Sequence, residues 1–418
     1  MTRQAAERFD NEMARLFCQL ADIAEAEVTP AVRNLMFGPA SLGFRGLQSM
    51  ADEVDIGYLG AQALCAPTLQ KVLADEKKGS QHRQALQEAL AGARRLIGEG
   101  ATAEHLPLTI NEDNFIAHFA HDDHRKDARK LKKALTAAVH ANRFSQIEKD
   151  ARTPEQKAHL NTIIAKGATL MSTTVPLQRE LQLPDPAFVL FHRKALGLGP
   201  KRVMPLHCRC CAPNGQFSSD PNHALSCQAA LSGPVTWRHD NLKYLLADLA
   251  HKVGATDVKV EPTRLDPEKG RRDHPDLSYW LEGELCWVDC TVRRACAPSH
   301  VRVSSKSLKQ FMDEAAAEKH RHYDDMATKA GATFVAFVVE SNGGFGDEAL
   351  QHLKEMIQAA QRQSYVWAPA QAINTVYRAI AARLAIDNHL IVAENLQWNE
   401  GGGRWQDDDG RWAKRRRV

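Results

Sequence analysis

The sequence predicts a multidomain chain with an all-α N-terminal half, a small zinc knuckle and then an α/β domain. Three observations predict it. Apolar residues recur at helical spacing, through Ala-rich stretches, from the N-terminus to about residue 170. Cys208, Cys211, His223 and Cys227 follow at zinc-ligand spacing. Beyond them, short β-rich runs alternate with longer amphipathic stretches, as in a sheet covered by helices.

Taken in order, Phe9, Met13, Leu16, Phe17 and Leu20 repeat at helical spacing, and a second helix starts near Ser49 and runs to Leu64. Gly38 to Phe44 is a breaker-rich loop between them. Three or more helices follow within residues 80–170, and the one at 122–144 is strongly basic. His118, His121 and His124 recur every third residue, but no carboxylate or Cys partner stands at a matching spacing. Pro176 to Pro205 reads as a linker with a short helix between Phe188 and Leu196. After the knuckle come a helix from Arg238 to Gly254, a strand at Val258–Val260 and a hairpin of Leu277–Leu281 with Leu285–Val292. A helix from Ser305 to Ala330, an apolar strand at Thr333–Val339 and helices at 347–363 and 370–386 complete the core. The Gly401–Gly403 and Asp407–Asp409 tracts read as disordered.

The 418 residues suffice for two or three domains, and 44% hydrophobic with 25% charged content is ordinary for a globular protein. No apolar run approaches the roughly 20 residues that cross a bilayer, and the N-terminus lacks a signal-peptide core. An intracellular, soluble protein without a membrane partner is expected. Net charge is only +3, yet the basic residues are clustered. Arg125, Lys126, Arg129, Lys130, Lys132 and Lys133 fall within nine positions, and Lys414–Arg417 closes the chain. Such local clusters, more than the sum, govern phosphate binding.

Zinc takes four ligands in a tetrahedron, and thiolates with a neutral imidazole supply them. Cys208 and Cys211 offer a tight turn with two sulfurs, and His223 and Cys227 offer a pair one helical turn apart. His207 and Cys210 are alternative ligands on the first side. With all four positions filled by protein, the zinc role is structural.

The second constellation is sparser. Asp276 enters the first hairpin strand after Pro275, and Asp289 lies twelve intervening residues later in the opposing strand. Each is about seven residues from the turn at Gly283, so the hairpin brings them together. Adjacent carboxylates repel unless a cation sits between them, and Mg²⁺ or Mn²⁺ would also activate water against a phosphodiester. Leu308, Met312, Ala315, Lys319, His322 and Met326 trace one stripe of the following helix, which puts a charge on a packing face. Tyr323 lies one turn beyond Lys319.

These residues together resemble a known family, the site-specific non-long-terminal-repeat retrotransposon proteins that carry a restriction-like endonuclease. The resemblance runs from about residue 5 to about 385 and rests on the knuckle order, the Pro275-Asp276…Asp289 spacing and Lys319-x3-Tyr323. It implies a PD-(D/E)xK fold whose lysine comes from the helix, so Thr291 at the usual lysine position is not a defect. Arg238-His239-Asp240-Asn241 and Glu261-Pro262 match family positions bordering the nuclease, and Glu261 could line the site. By this resemblance residues 1–70 are thumb-like, 71–200 a helical linker, 201–232 the knuckle, 233–390 the nuclease and 391–418 a basic tail. No paired-aspartate turn precedes the thumb-like segment, so polymerase activity is not expected.

The expected function is metal-dependent nicking of target DNA to prime reverse transcription, with element RNA as a further partner. Asp276, Asp289, Lys319 and Tyr323 are the catalytic set, and the two aspartates hold the metal. Arg238, His239, Arg271, Arg272, Arg129, Lys130 and Lys133 are the expected nucleic-acid contacts. The alternative is a catalytically inactive, nucleic-acid-binding remnant. The basic C-terminus and a chromosomal target point to the nucleus.

Overall fold

A computed structural model of the chain describes residues 2–73, 76–98, 103–173, 179–200, 222–226, 233–262, 274–364 and 369–400. The chain divides into two compact units. One comprises residues 1–20, 24–39 and 44–152; the other comprises 21–23, 40–43 and 153–418. The main division between them falls at 152/153.

The first unit is helical, with α1 (Arg3–Leu20), α2 (Pro30–Met36), α3 (Met50–Val72), α4 (Glu76–Ile97), α5 (Phe115–Ala120) and α6 (Arg125–Asp150). Its core joins Ile56, Leu59 and Ala63 of α3 to Leu86 and Leu90 of α4, Phe115 and Phe119 of α5, and Leu131, Leu135 and Val139 of α6. Residues on either side of position 70 thus share one core. Ser49 caps α3 as the sequence predicts, accepting from the Asp52 amide at 3.1 Å. Asp10 adds a second cap, accepting from the Met50 amide at 2.7 Å and the Ala51 amide at 3.1 Å.

Two local features of this unit differ from what periodicity alone suggests. The buried face of α1 is Ala6, Asp10, Ala14 and Phe17, whereas Phe9, Leu16 and Leu20 are exposed, because small residues let α1 approach α3 closely. The three histidines do not share a helix side, since α5 ends at Ala120 and His121 is extended with ψ 138°. The rings of His118 and His124 nevertheless stack with centroids 3.9 Å apart.

In the second unit, α7 (Pro154–Ile163) and α8 (Asp185–Ala195) precede α9 (Pro234–Lys252), β1 (Thr256–Val260), β2 (Leu277–Leu281) and β3 (Glu284–Arg293). A short α10 (Val301–Ser304) and the long α11 (Leu308–Lys329) lead to β4 (Ala332–Glu340), α12 (Asp347–Arg362) and α13 (Pro369–Glu400). The last helix thus runs well past residue 386. The strands pair in the order β1-β2-β3-β4, antiparallel except for the parallel β3–β4 pair that α10 and α11 connect. The β2–β3 turn is the two residues Glu282 and Gly283, both with positive φ (51° and 87°), where glycine removes the Cβ clash.

Helices cover both sheet faces. Cys286, Val288 and Cys290 of β3 pack with α9, α12 and α13, while Trp287 packs with Phe311, Met312, Ala315 and Tyr323 of α11. This period-two alternation sets Asp289 on the α11 side. A helical N-terminal region followed by an α/β region is therefore the observed architecture. Cys208, Cys211 and Cys227 of the expected knuckle, and the Gly, Asp and basic tracts beyond 400, lie outside the described residues.

Candidate active site

The hairpin register pairs Leu277 with Val288, so one step outward Asp276 stands opposite Asp289. Asp276 is anchored from two sides: its Oδ2 accepts the Cys290 amide at 2.7 Å, and its carbonyl accepts the Glu261 amide at 2.8 Å. Asp289 is 4% exposed beneath α11. Lys319 descends from that helix to bring Nζ within 2.7 Å of Asp289 Oδ2. One turn on, the Tyr323 ring stacks on Phe334 at 5.0 Å and its hydroxyl donates to the His274 carbonyl at 3.1 Å. Tyr323 thereby ties the strand entry carrying Asp276 to the helix carrying Lys319. The four residues singled out by spacing sit around one hairpin edge.

Two side chains of α9, neither in the expected catalytic set, share this place. His239 of α9 donates from Nε2 to Asp276 Oδ1 at 3.1 Å. Lys243, one turn further, is 1% exposed and bridges Asp240 Oδ1 at 3.0 Å and the Glu261 carboxylate. Glu261 is thus near the site through its backbone, with its side chain turned to Lys243. A signal was available: His239 and Lys243 are polar residues four apart on a helix whose Leu242, Leu246 and Leu249 are core.

Arg238 is corrected. Instead of standing at the surface as a nucleic-acid contact would, its side chain is 3% exposed and its Nη1 donates to Asn388 at 2.9 Å. Its helical position next to His239 turns it inward towards α13. Arg129, Lys130 and Lys133 are exposed on α6 of the helical unit, and Arg271 and Arg272 lie outside the described residues.

The two carboxylates titrate differently. Burial raises Asp276, but the His239 hydrogen bond and charge, with the Cys290 amide, outweigh it and hold the carboxyl below the usual range. Burial and the neighbouring Asp276 push Asp289 above that range, against the pull of Lys319 and Tyr323. His239 is raised, mainly by its bond to Asp276.

A buried and a part-buried carboxylate whose repulsion is only partly relieved form an oxygen donor set that suits a hard divalent cation. Among the described residues no group of three or more His, Cys, Asp and Glu side chains converges as a metal cage. Of the expected zinc ligands only His223 is described, 7% exposed in the 3-10 turn His223–Ser226. No helix among the described residues is long and apolar enough to cross a membrane.

Compared with known proteins, the chain matches no family model and no curated protein.

Proposed function

We propose that residues 233–390 are a metal-dependent DNA endonuclease of the restriction-like, PD-(D/E)xK kind, within the C-terminal part of a site-specific retrotransposon protein. The observation that supports this reading best is the opposed pair Asp276 and Asp289 with Lys319 from the next helix at 2.7 Å. Each of those charges would be costly so near a core without a common task.

In this reading Asp276 and Asp289 supply the oxygens that hold Mg²⁺ or Mn²⁺. The bound ion supplies charge neutralisation at the phosphate and acidifies water. Lys319 orients the water or the scissile phosphate oxygen, and Tyr323 keeps the His274–Asp276 segment against α11. The knuckle residues Cys208, Cys211, His223 and Cys227 would bind a structural zinc. Arg129, Lys130 and Lys133 would meet phosphates of target DNA or element RNA without reading sequence. A nuclear location follows from that target.

Nicking of supercoiled plasmid with Mg²⁺ or Mn²⁺ tests the proposal. The unaltered chain should nick, and Asp276→Ala, Asp289→Ala and Lys319→Met should each lose on the order of a hundredfold or more in rate. Equal cleavage by all four proteins would sink it. Binding of DNA without nicking by any of them would favour the inactive remnant instead.

A further inference from the structure

Asp276 Oδ2 is held by a backbone donor, the Cys290 amide, whereas the donor on Oδ1 is a side chain that can turn away. That oxygen faces His239 Nε2 at 3.1 Å. Across the hairpin, Lys319 holds Asp289 Oδ2 at 2.7 Å. Each carboxylate therefore already has a protein cation or donor on an oxygen that would help hold a divalent ion. The imidazole N–H and a cation both carry positive charge towards Oδ1, so at close range binding of one disfavours the other there.

His239 has room to leave. Its side chain is 34% exposed while Asp276 is 13% exposed, so the imidazole lies on the solvent side of the pair. Its helix is held independently, through Leu242 and Leu246 in the core and through the Arg238–Asn388 bond. A change of side-chain rotamer releases Oδ1 without moving α9.

We infer that His239 is an internal cap on the metal site, occupying Asp276 Oδ1 in the metal-free protein and displaced when a divalent cation binds. This inference rests on the proposed metal site and assigns its occupant in the absence of the ion. The apparent metal affinity is then the intrinsic affinity reduced by the fraction of protein already uncapped. Removing the cap should tighten binding, the opposite of what removing a ligand does.

Mn²⁺ binding to the zinc-loaded full chain, followed at one fixed pH by the loss of the free-ion EPR signal, tests it without catalysis. His239→Ala should bind Mn²⁺ about three- to tenfold more tightly than the unaltered chain. His239→Phe, which refills the ring's place without a donor, should do the same and covers the case of a poorly folded alanine variant. Unchanged or weaker binding in a folded variant overturns the cap, and weaker binding would make His239 a ligand. Asp276→Ala and Asp289→Ala separate the two levels. Their loss of Mn²⁺ binding upholds the metal site whatever His239 does, and their unaltered binding removes the site and the cap together.

Discussion

Around the basic helix α6 of the helical unit, two ion pairs reach water: Lys132 meets Glu53 at 2.7 Å with 54% of its side chain exposed, and Arg125 meets Asp122 at 2.9 Å with both exposed. In the sheet unit a set of charges lies inside. Asp289, Glu340, Asp387, Lys194 and Arg238 are all buried. Surface pairs of the first kind contribute little, whereas each buried charge costs several kcal/mol unless neighbours offset it. Glu340 is offset within the fold, accepting from the Ala295 and Asn342 amides and the Ser341 hydroxyl. Asp289 is offset less completely, which is why its carboxyl is pushed up. Charge that serves the fold, charge at the proposed site and charge facing outward are thus distinct kinds.

The largest expected effect comes from breaking the internal kind. Glu340→Ala should lower unfolding free energy by about 3–5 kcal/mol, because it strands its amide donors and leaves the Lys194 ammonium it faces uncompensated. Urea denaturation measures this, and a loss under about 1 kcal/mol would contradict it.

An intermediate effect should appear with acid. Burial pushes His352, packed against the Tyr279 hydroxyl, down to about 4. Its folded value lies below its unfolded value, so the neutral ring's contribution is complete above about pH 6.5 and disappears as pH falls towards about 4. Across that window the unaltered chain should lose roughly 3 kcal/mol more than His352→Gln. Equal acid sensitivity in the two proteins would exclude the effect.

The smallest effect on stability belongs to the outward charges. Replacing Lys126, Arg129, Lys130 and Lys133 together with Gln should leave the unfolding midpoint within about a degree. Under the proposed function it should also flatten the dependence of log affinity for DNA on log salt by up to about 3 to 4. An unchanged slope would remove α6 from the nucleic-acid surface.

Much of the sheet unit was legible in the sequence. The turn residues Glu282 and Gly283, and equal spacing on either side, give the register that opposes Asp276 and Asp289. A lysine in the packing stripe of α11 pointed at that same edge. In the helical unit the α3 cap at Ser49 was readable, but the buried side of α1 was not. Exposed Phe9, Leu16 and Leu20 carry the stronger periodic signal, and the real interface is built on Ala6, Asp10 and Ala14.

By itself, the sequence determined what depends on local spacing: which segments are helices and strands, where the hairpin turns, and that two aspartates meet across it. Backbone geometry repeats every two or 3.6 residues, so such contacts can be counted along the chain. Only the tertiary structure decided that α9 sends His239 onto Asp276 across 37 residues, that Arg238 beside it points into the core, and that residues 50–72 share one core with α6. Those outcomes depend on which helix face wins burial among competing partners, a sum over long-range contacts that no local period encodes.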